Sequence, residues 1–170
     1  MATARPDFDA LYRDEFSFVY RVLRYHGVRD ADIEDLAHDV FVVVHRRLDD
    51  YDPTRPIRPW LFGIASRTAR RHGDRVARRS EVSTEAPTSA SRDPAADEQL
   101  AAARAWHELE RALQQLPWEQ RAVVISHDIE EHTAPEIAAA LGVPLNTVYS
   151  RLRLGRSKLS ALLRRREGGS

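Results

Sequence analysis

The tetrapeptide Leu141-Gly142-Val143-Pro144 is the tightest constraint on the fold, because it interrupts helix-forming sequence on both sides. Before it lies "TAPEIAAA". Thr133 with Glu136 three residues later is a capping-box pattern, and Pro135 falls in the first turn, where its missing N–H costs little. Gly142 can take the left-handed conformation that ends a helix, and Pro144 helps start the next. After it comes "LNTVYSRLRLGR". Ile137, Ala138 and Leu141 supply one side of a contact and Val148 and Leu152 the other, while the small Ala138–Ala140 run allows close approach. Two helices joined by so short a turn form a helix-turn-helix.

The second helix gathers polar groups. Asn146, Thr147, Tyr149, Ser150, Arg151 and Arg153 lie on or near its leading turns, followed by Arg156, Lys158 and Arg164 to Arg166. A helix entering the DNA major groove needs short polar groups and Arg side chains that reach base edges. Cations further along neutralise backbone phosphate. The competing reading is an ordinary helical hairpin with a charged face. A helix-turn-helix alone names no function, since repressors, activators and recombinases all carry one.

The rest of the chain reads as helix. Phe8, Leu11, Tyr12, Phe16, Val19, Tyr20 and Leu23 recur at helical spacing, and Gly27 is a natural stop. A second helix begins near Asp30 with an acidic first turn, which suits the positive end of the helix dipole. Its apolar face continues through Ile33, Leu36, Ala37, Val40, Phe41, Val44 and Leu48. Three prolines exclude regular helix from Tyr51 to Pro59. A third helix follows from about Trp60 to Arg79, with Leu61, Ile64, Ala65 and Thr68 inward and Arg67, Arg70, Arg71, Asp74, Arg75 and Arg78 outward.

Composition then shifts. Ser80 to Glu98 is Ser, Thr, Ala, Pro and acid with a single Val, too little apolar surface to fold, and it reads as a linker. Leu100, Ala103, Trp106, Leu109, Leu113 and Leu116 resume the helical pattern, Pro117 breaks it, and Trp118 to about Ile129 forms another helix. No alternating strand pattern occurs. The expectation is an all-α chain of two small helical domains, 1–79 and 99–170, joined by a flexible linker at 80–98.

The net charge of zero hides segregation. Asp30 to Asp52 carries eight acids against Arg46 and Arg47, Arg55 to Arg79 carries eight Arg residues against Asp74, and Leu145 to Ser170 carries six Arg and Lys158 against Glu167. Two basic blocks suggest two contacts with a polyanion. With no Cys there is no disulfide or thiolate chemistry. No apolar run approaches the ~18 residues of a membrane span, and the N-terminus lacks an apolar signal core. A soluble cytoplasmic protein follows by default. "SHDIEEHT" invites a metal reading, but His127 and His132 are five residues apart and diverge by about 140° around a helix. Neither a metal nor another cofactor is expected, and no activated nucleophile or Gly-rich phosphate loop is present.

These segments together resemble the extracytoplasmic-function sigma factors of bacterial RNA polymerase, over nearly the whole chain. Asp35, Leu36, Ala37, His38, Asp39, Val40 and Phe41 resemble the core of region 2, and Trp60, Leu61, Ile64 and Ala65 the segment that follows it. Leu116-Pro117, Arg121, Glu136-Ile137-Ala138, Leu141 to Pro144, Thr147-Val148 and Ser150-Arg151-Leu152 resemble region 4. The resemblance implies that Asp35, His38, Asp39, Val42 and Arg46 dock on the clamp helices of the polymerase largest subunit, with region 4 meeting its flap region. It implies that Trp60, Arg67, Arg70, Arg71 and Arg75 hold the promoter −10 element as a separated strand, although Trp60, as partner of Leu61 and Ile64, reads first as core. Asn146, Thr147, Tyr149, Ser150, Arg151, Arg153 and Arg156 are implied to read the −35 element, and an anti-sigma factor is a common further partner in the family.

Several positions depart from the family pattern. His38-Asp39 replaces Gln-Glu, Arg67 stands where many members carry Asn, Asn146 replaces Gly, and Tyr149 replaces Lys or Arg. Gly155 inside the last helix costs ~1 kcal/mol relative to Ala. The rival readings are a stand-alone helix-turn-helix regulator with an N-terminal sensing or dimerisation domain, and a helical metal-dependent hydrolase using His127, Glu131 and His132.

Overall fold

The structure is a computed structural model that describes residues 6–81 and 97–167. All regular structure among these residues is helical. The first half contains α1 (Phe8–Tyr25), α2 (Asp30–Arg47) with a short 3-10 turn (Leu48–Asp50), and α3 (Ile57–Ser80). The second half contains α4 (Asp97–Gln114), α5 (Trp118–Val124) continued by a π turn (Ile125–Ile129), α6 (Ala134–Leu141) and α7 (Leu145–Glu167). Most of the expected linker lies outside the described residues. Among the described residues no helix is long and apolar enough to cross a membrane.

Local chemistry sets the helix ends. The Asp7 carboxylate accepts from the Ala10 N–H at 3.0 Å and caps α1. Gly27 closes α1 at φ 82°, and the Val28 N–H reaches back to the Leu23 carbonyl at 3.2 Å. The acidic start of α2 and its apolar face lie as expected: Ile33, Leu36, Ala37, Val40, Phe41, Val44 and Leu48 are all buried. α3 starts earlier than the sequence suggests, at Ile57, and takes Pro59 into its first turn. The N–H groups of a first turn have no intrahelical partner, so the proline forfeits nothing there.

α1, α2 and α3 pack around Val19, Val22, Leu23, Val40, Leu61 and Ile64. In the second half α5 and α7 cross closely, and α6 seats on α7 through Ile137, Val148 and Leu152. Gly155 makes the α5–α7 crossing possible: it is buried, and a Cβ there would sit 2.7 Å from Val124 Cγ2 and 3.3 Å from the Gln120 carbonyl. Its helix penalty is therefore offset by packing.

The two halves also pack on each other. α3 lies against α6, and the buried residues of both halves form one continuous cluster. Phe62, Gly63, Ser66 and Ala69 are buried beside the expected inward set of Leu61, Ile64, Ala65 and Thr68, so this stretch of α3 is enclosed on nearly all sides. Arg67, expected on the solvated side, is half-buried against α6. An apolar and small "LFGIAS" run without a polar stripe is the pattern of a helix covered all round.

Candidate nucleic-acid interface

The helix-turn-helix is built by its caps. The Thr133 hydroxyl accepts from the Glu136 N–H at 3.4 Å, and the Glu136 carboxylate accepts from the Thr133 N–H at 2.8 Å. Gly142 ends α6 in the left-handed conformation at φ 68°, and the Val143 N–H donates to the Ala138 carbonyl at 3.1 Å. The Pro144 carbonyl then accepts from the Thr147 N–H at 3.0 Å, which starts α7. With Val148 and Leu152 buried, the opposite side of α7 is left to solvent. Asn146, Tyr149, Ser150 and Arg153 are exposed, Tyr149 by 53%, and Thr147 and Arg151 are half-buried.

Arg156 has a different environment from the one expected of a phosphate contact. Its Nε donates to Asp128 Oδ2 at 2.9 Å and its Nη2 to Asp128 Oδ1, with His127 Nδ1 3.1 Å away. The pair holds the Asp128 carboxyl below the usual carboxylate range, with His127 adding to the effect. It ties α7 to the π turn. His132 lies elsewhere, buried with its Nδ1 3.0 Å from Ser126 Oγ. The two histidines thus face different partners, and no group of three metal-ligating side chains gathers among the described residues.

On α3, Arg70, Arg71 and Arg75 are exposed and Trp60 is half-buried beside Tyr51, ring centroids 5.2 Å apart. Arg71, Arg75 and Arg78 line a shallow groove of about 400 Å³ shared with Asp39, Val43 and Thr68. Arg67 donates to the Gly63 carbonyl at 3.0 Å and, across to α6, to the Ala140 carbonyl at 2.5 Å. Burial, with Arg47 and Arg71 nearby, pushes its pKa down. Arg70 pairs with Glu119 at 3.2 Å and lies over the Trp118 ring at 4.6 Å. Arg67, Arg70, Arg71 and Arg151 thereby line a second groove, of about 380 Å³, between the halves.

A third feature lies on α2. Asp35, His38, Asp39, Val42 and Arg46 recur at helical spacing and all are exposed, opposite the buried Ile33, Ala37, Val40 and Val44. Val42 is 48% exposed, an apolar residue set among charges. The His38 ring stacks on Tyr12 at 6.2 Å, which fixes its direction.

The junction between the halves went unnoticed in the sequence. Arg21 forms a bidentate pair with Glu130 at 3.0 and 2.9 Å, and Arg24 pairs with Glu110 at 2.9 Å. The Gln114 amide donates to the Tyr25 carbonyl at 2.9 Å, and Arg121 donates to the His26 carbonyl at 3.2 Å. His26 is buried beside Trp118, its Nε2 2.9 Å from Ser66 Oγ. Burial first, and the Arg121 charge second, push its pKa down to about 3. The sequence signal is Phe18, Phe62 and His132, three bulky groups that lie outside the apolar faces of the separate helices and are buried here.

Comparison with known proteins places both halves. Residues 11–79 match Sigma-70 region 2, and residues 106–159 match Sigma-70, region 4. The ECF RNA polymerase sigma factor SigE of Mycolicibacterium smegmatis is 38% identical over 161 residues, covering 92% of this chain and 61% of that protein. The RNA polymerase sigma factor CnrH of Cupriavidus metallidurans is 33% identical over 148 residues, covering 82% of this chain and 78% of that protein. The solved structure of CnrH in complex with the cytosolic domain of CnrY matches with a TM-score of 0.66 at 30% identity, over 96% of this chain and 89% of that one. The chain thus spans less than two thirds of the first of these relatives and more than three quarters of the second.

Proposed function

This chain belongs to the ECF RNA polymerase sigma factors, and we propose that it binds core RNA polymerase in the cytoplasm and directs it to promoters by recognising −10 and −35 elements. It contributes no catalysis of its own, since chain synthesis is the polymerase's chemistry. Residues 1–79 act as region 2, 99–170 as region 4, and 80–98 as a linker.

The observation that carries this reading is α7: buried Val148 and Leu152 fix its roll on α6, and that roll turns Asn146, Tyr149, Ser150 and Arg153 outward together. Such a helix end fits the major groove, with Arg bidentate to guanine and Asn to adenine. Thr147 and Arg151 flank that surface, and Arg156 joins it on leaving Asp128. Arg67, Arg70, Arg71 and Arg75 track the phosphates of the separated −10 strand, with Trp60 at the foot of the same helix. Asp35, His38, Asp39, Val42 and Arg46 form the face that docks on the clamp helices, Val42 being the apolar anchor, and region 4 meets the flap region. An anti-sigma factor covering these same surfaces is a further partner under this reading, and the similar CnrH structure is itself a complex with the cytosolic domain of CnrY.

A gel shift tests the assignment. Labelled promoter duplex is mixed with the chain alone, with core polymerase alone, and with both. A specific, salt-sensitive complex only when both are present is expected. A tight specific shift by the chain alone assigns it instead to stand-alone regulators.

A further inference from the structure

α7 opens with polar groups, yet its leading turns also hold three of the five large hydrophobic side chains that stand exposed among the described residues: Leu145, Tyr149 and Leu154. A single exposed leucine is ordinary on a protein surface. Leu154, 45% exposed, is distinguished by its place. At ~100° per residue it lies about 40° around the helix from Ser150 and about 20° from Thr147. It lies about 120–160° from Val148 and Leu152, which are buried in the core cluster that Leu154 does not join. Along the axis, Asn146 to Leu154 spans about 12 Å at ~1.5 Å per residue, close to the width of the DNA major groove, about 12 Å. A helix seated there by Asn146, Ser150 and Arg153, all exposed, carries Leu154 into the same groove. The edges of the base pairs present one apolar group in that groove, the C5 methyl of thymine, whereas cytosine offers an amino donor and no methyl.

We infer that Leu154 is a specificity-determining residue of the −35 contact and covers the C5 methyl of one thymine. The inference rests on the assignment of α7 to the −35 element and deepens it by naming a base and the atom that is read. The polar side chains and the leucine divide the task. Asn146, Ser150 and Arg153 have hydrogen-bonding groups to satisfy and meet the donors and acceptors of the base edges. Leu154 has neither donor nor acceptor, so it gains from a methyl and gains nothing from the polar edge of a G·C pair. It therefore sorts thymine from cytosine at one position.

Deoxyuridine keeps the hydrogen-bonding edge of thymine and lacks only the methyl, so it isolates the contact. Each thymine of the −35 region, on either strand of the duplex upstream of the chain's own gene, is replaced singly by deoxyuridine. Affinity is then measured for core polymerase carrying the full chain, its Leu154→Ala variant or its Leu154→Met variant. The unsubstituted complex is expected to bind about fourfold more weakly when one particular thymine loses its methyl. Leu154→Ala should bind the thymine duplex about fourfold more weakly and show no difference between thymine and uracil at that position. Leu154→Met, which keeps an apolar reach, should retain the difference. A complex in which no thymine distinguishes the unsubstituted chain from Leu154→Ala overturns the inference. So does a Leu154→Ala variant whose only loss is in affinity for core polymerase, which would place the side chain against the enzyme. Should the chain bind this duplex specifically without core, the sigma-factor reading fails, and the same thymine scan on that complex still decides the role of Leu154. Should neither complex form, the assignment of α7 to DNA falls and the inference with it.

Discussion

His132 of the second half lies edge-on to Phe62 of the first, ring centroids 5.8 Å apart and planes at 79°. A buried imidazole also crosses the junction from the other side, where His26 of the first half stacks beside Trp118 of the second at 6.3 Å. Both rings are held below their ordinary pKa by burial. Protonating either places a charge where apolar surface surrounds it.

Stability should therefore fall in acid by a defined amount at His26. Its pKa is about 3 in the folded chain against 6.5 for the ordinary group. A base with a depressed folded pKa leaves stability intact above pH 6.5 and withdraws it as pH falls from there toward 3. The slope is about 1.4 kcal/mol per pH unit for one proton. Urea melts at several pH values between 7 and 4.5 check this by comparing the parent with His26→Gln. The parent should lose stability faster, and parallel curves would remove His26 from the explanation.

Two glycines inside helices should respond oppositely to alanine. At Gly155 a Cβ meets Val124 and Gln120, so Gly155→Ala should destabilise by ~1–3 kcal/mol despite better helix propensity. At Gly73 a Cβ meets nothing within 4 Å, so Gly73→Ala should stabilise by ~0.5–1 kcal/mol. Thermal melts of the two variants suffice, and a gain at Gly155 would show that the α5–α7 crossing tolerates spreading.

Promoter reading should depend on Arg151 and Arg153 separately. Replacing either by Ala should weaken binding of the polymerase complex to its −35 sequence by ~1–3 kcal/mol if the side chain makes a bidentate base contact. Loss of selectivity at one base pair marks a base contact, while uniform loss across sequences marks a phosphate contact. Unchanged binding in both variants would put the reading surface elsewhere.

Legibility in the sequence followed the range of the interactions. All seven apolar positions read on α2 are buried, because period and propensity act within one helix. The capping box at Thr133 and the stop at Gly142 were equally local. The second face of α3 was not, because Gly63 and Arg67 acquire their roles only from Ala140, over seventy residues away. The bidentate bond of Arg156 to Asp128 was hidden for the same reason, as was the packing that gives Gly155 its place. Pro59 misled in the other direction: a proline that breaks a helix interior is harmless in a first turn.

Docking on polymerase should rest on the outward face of α2. Val42→Asp puts a charge on an exposed position and so spares the fold, while placing it at the centre of the proposed contact. Affinity for core enzyme, read by fluorescence polarisation, should fall at least about tenfold, a loss of ~1.4 kcal/mol. An equal affinity would move the docking face off α2.

The most direct measurement is transcription itself. Core polymerase, the purified chain and the DNA upstream of the chain's own gene are combined, and transcript ends are mapped. A discrete start site that requires the chain, and that disappears in the Arg151→Ala, Arg153→Ala double variant, is the predicted result. Transcripts whose start positions are the same with and without the chain would contradict the account.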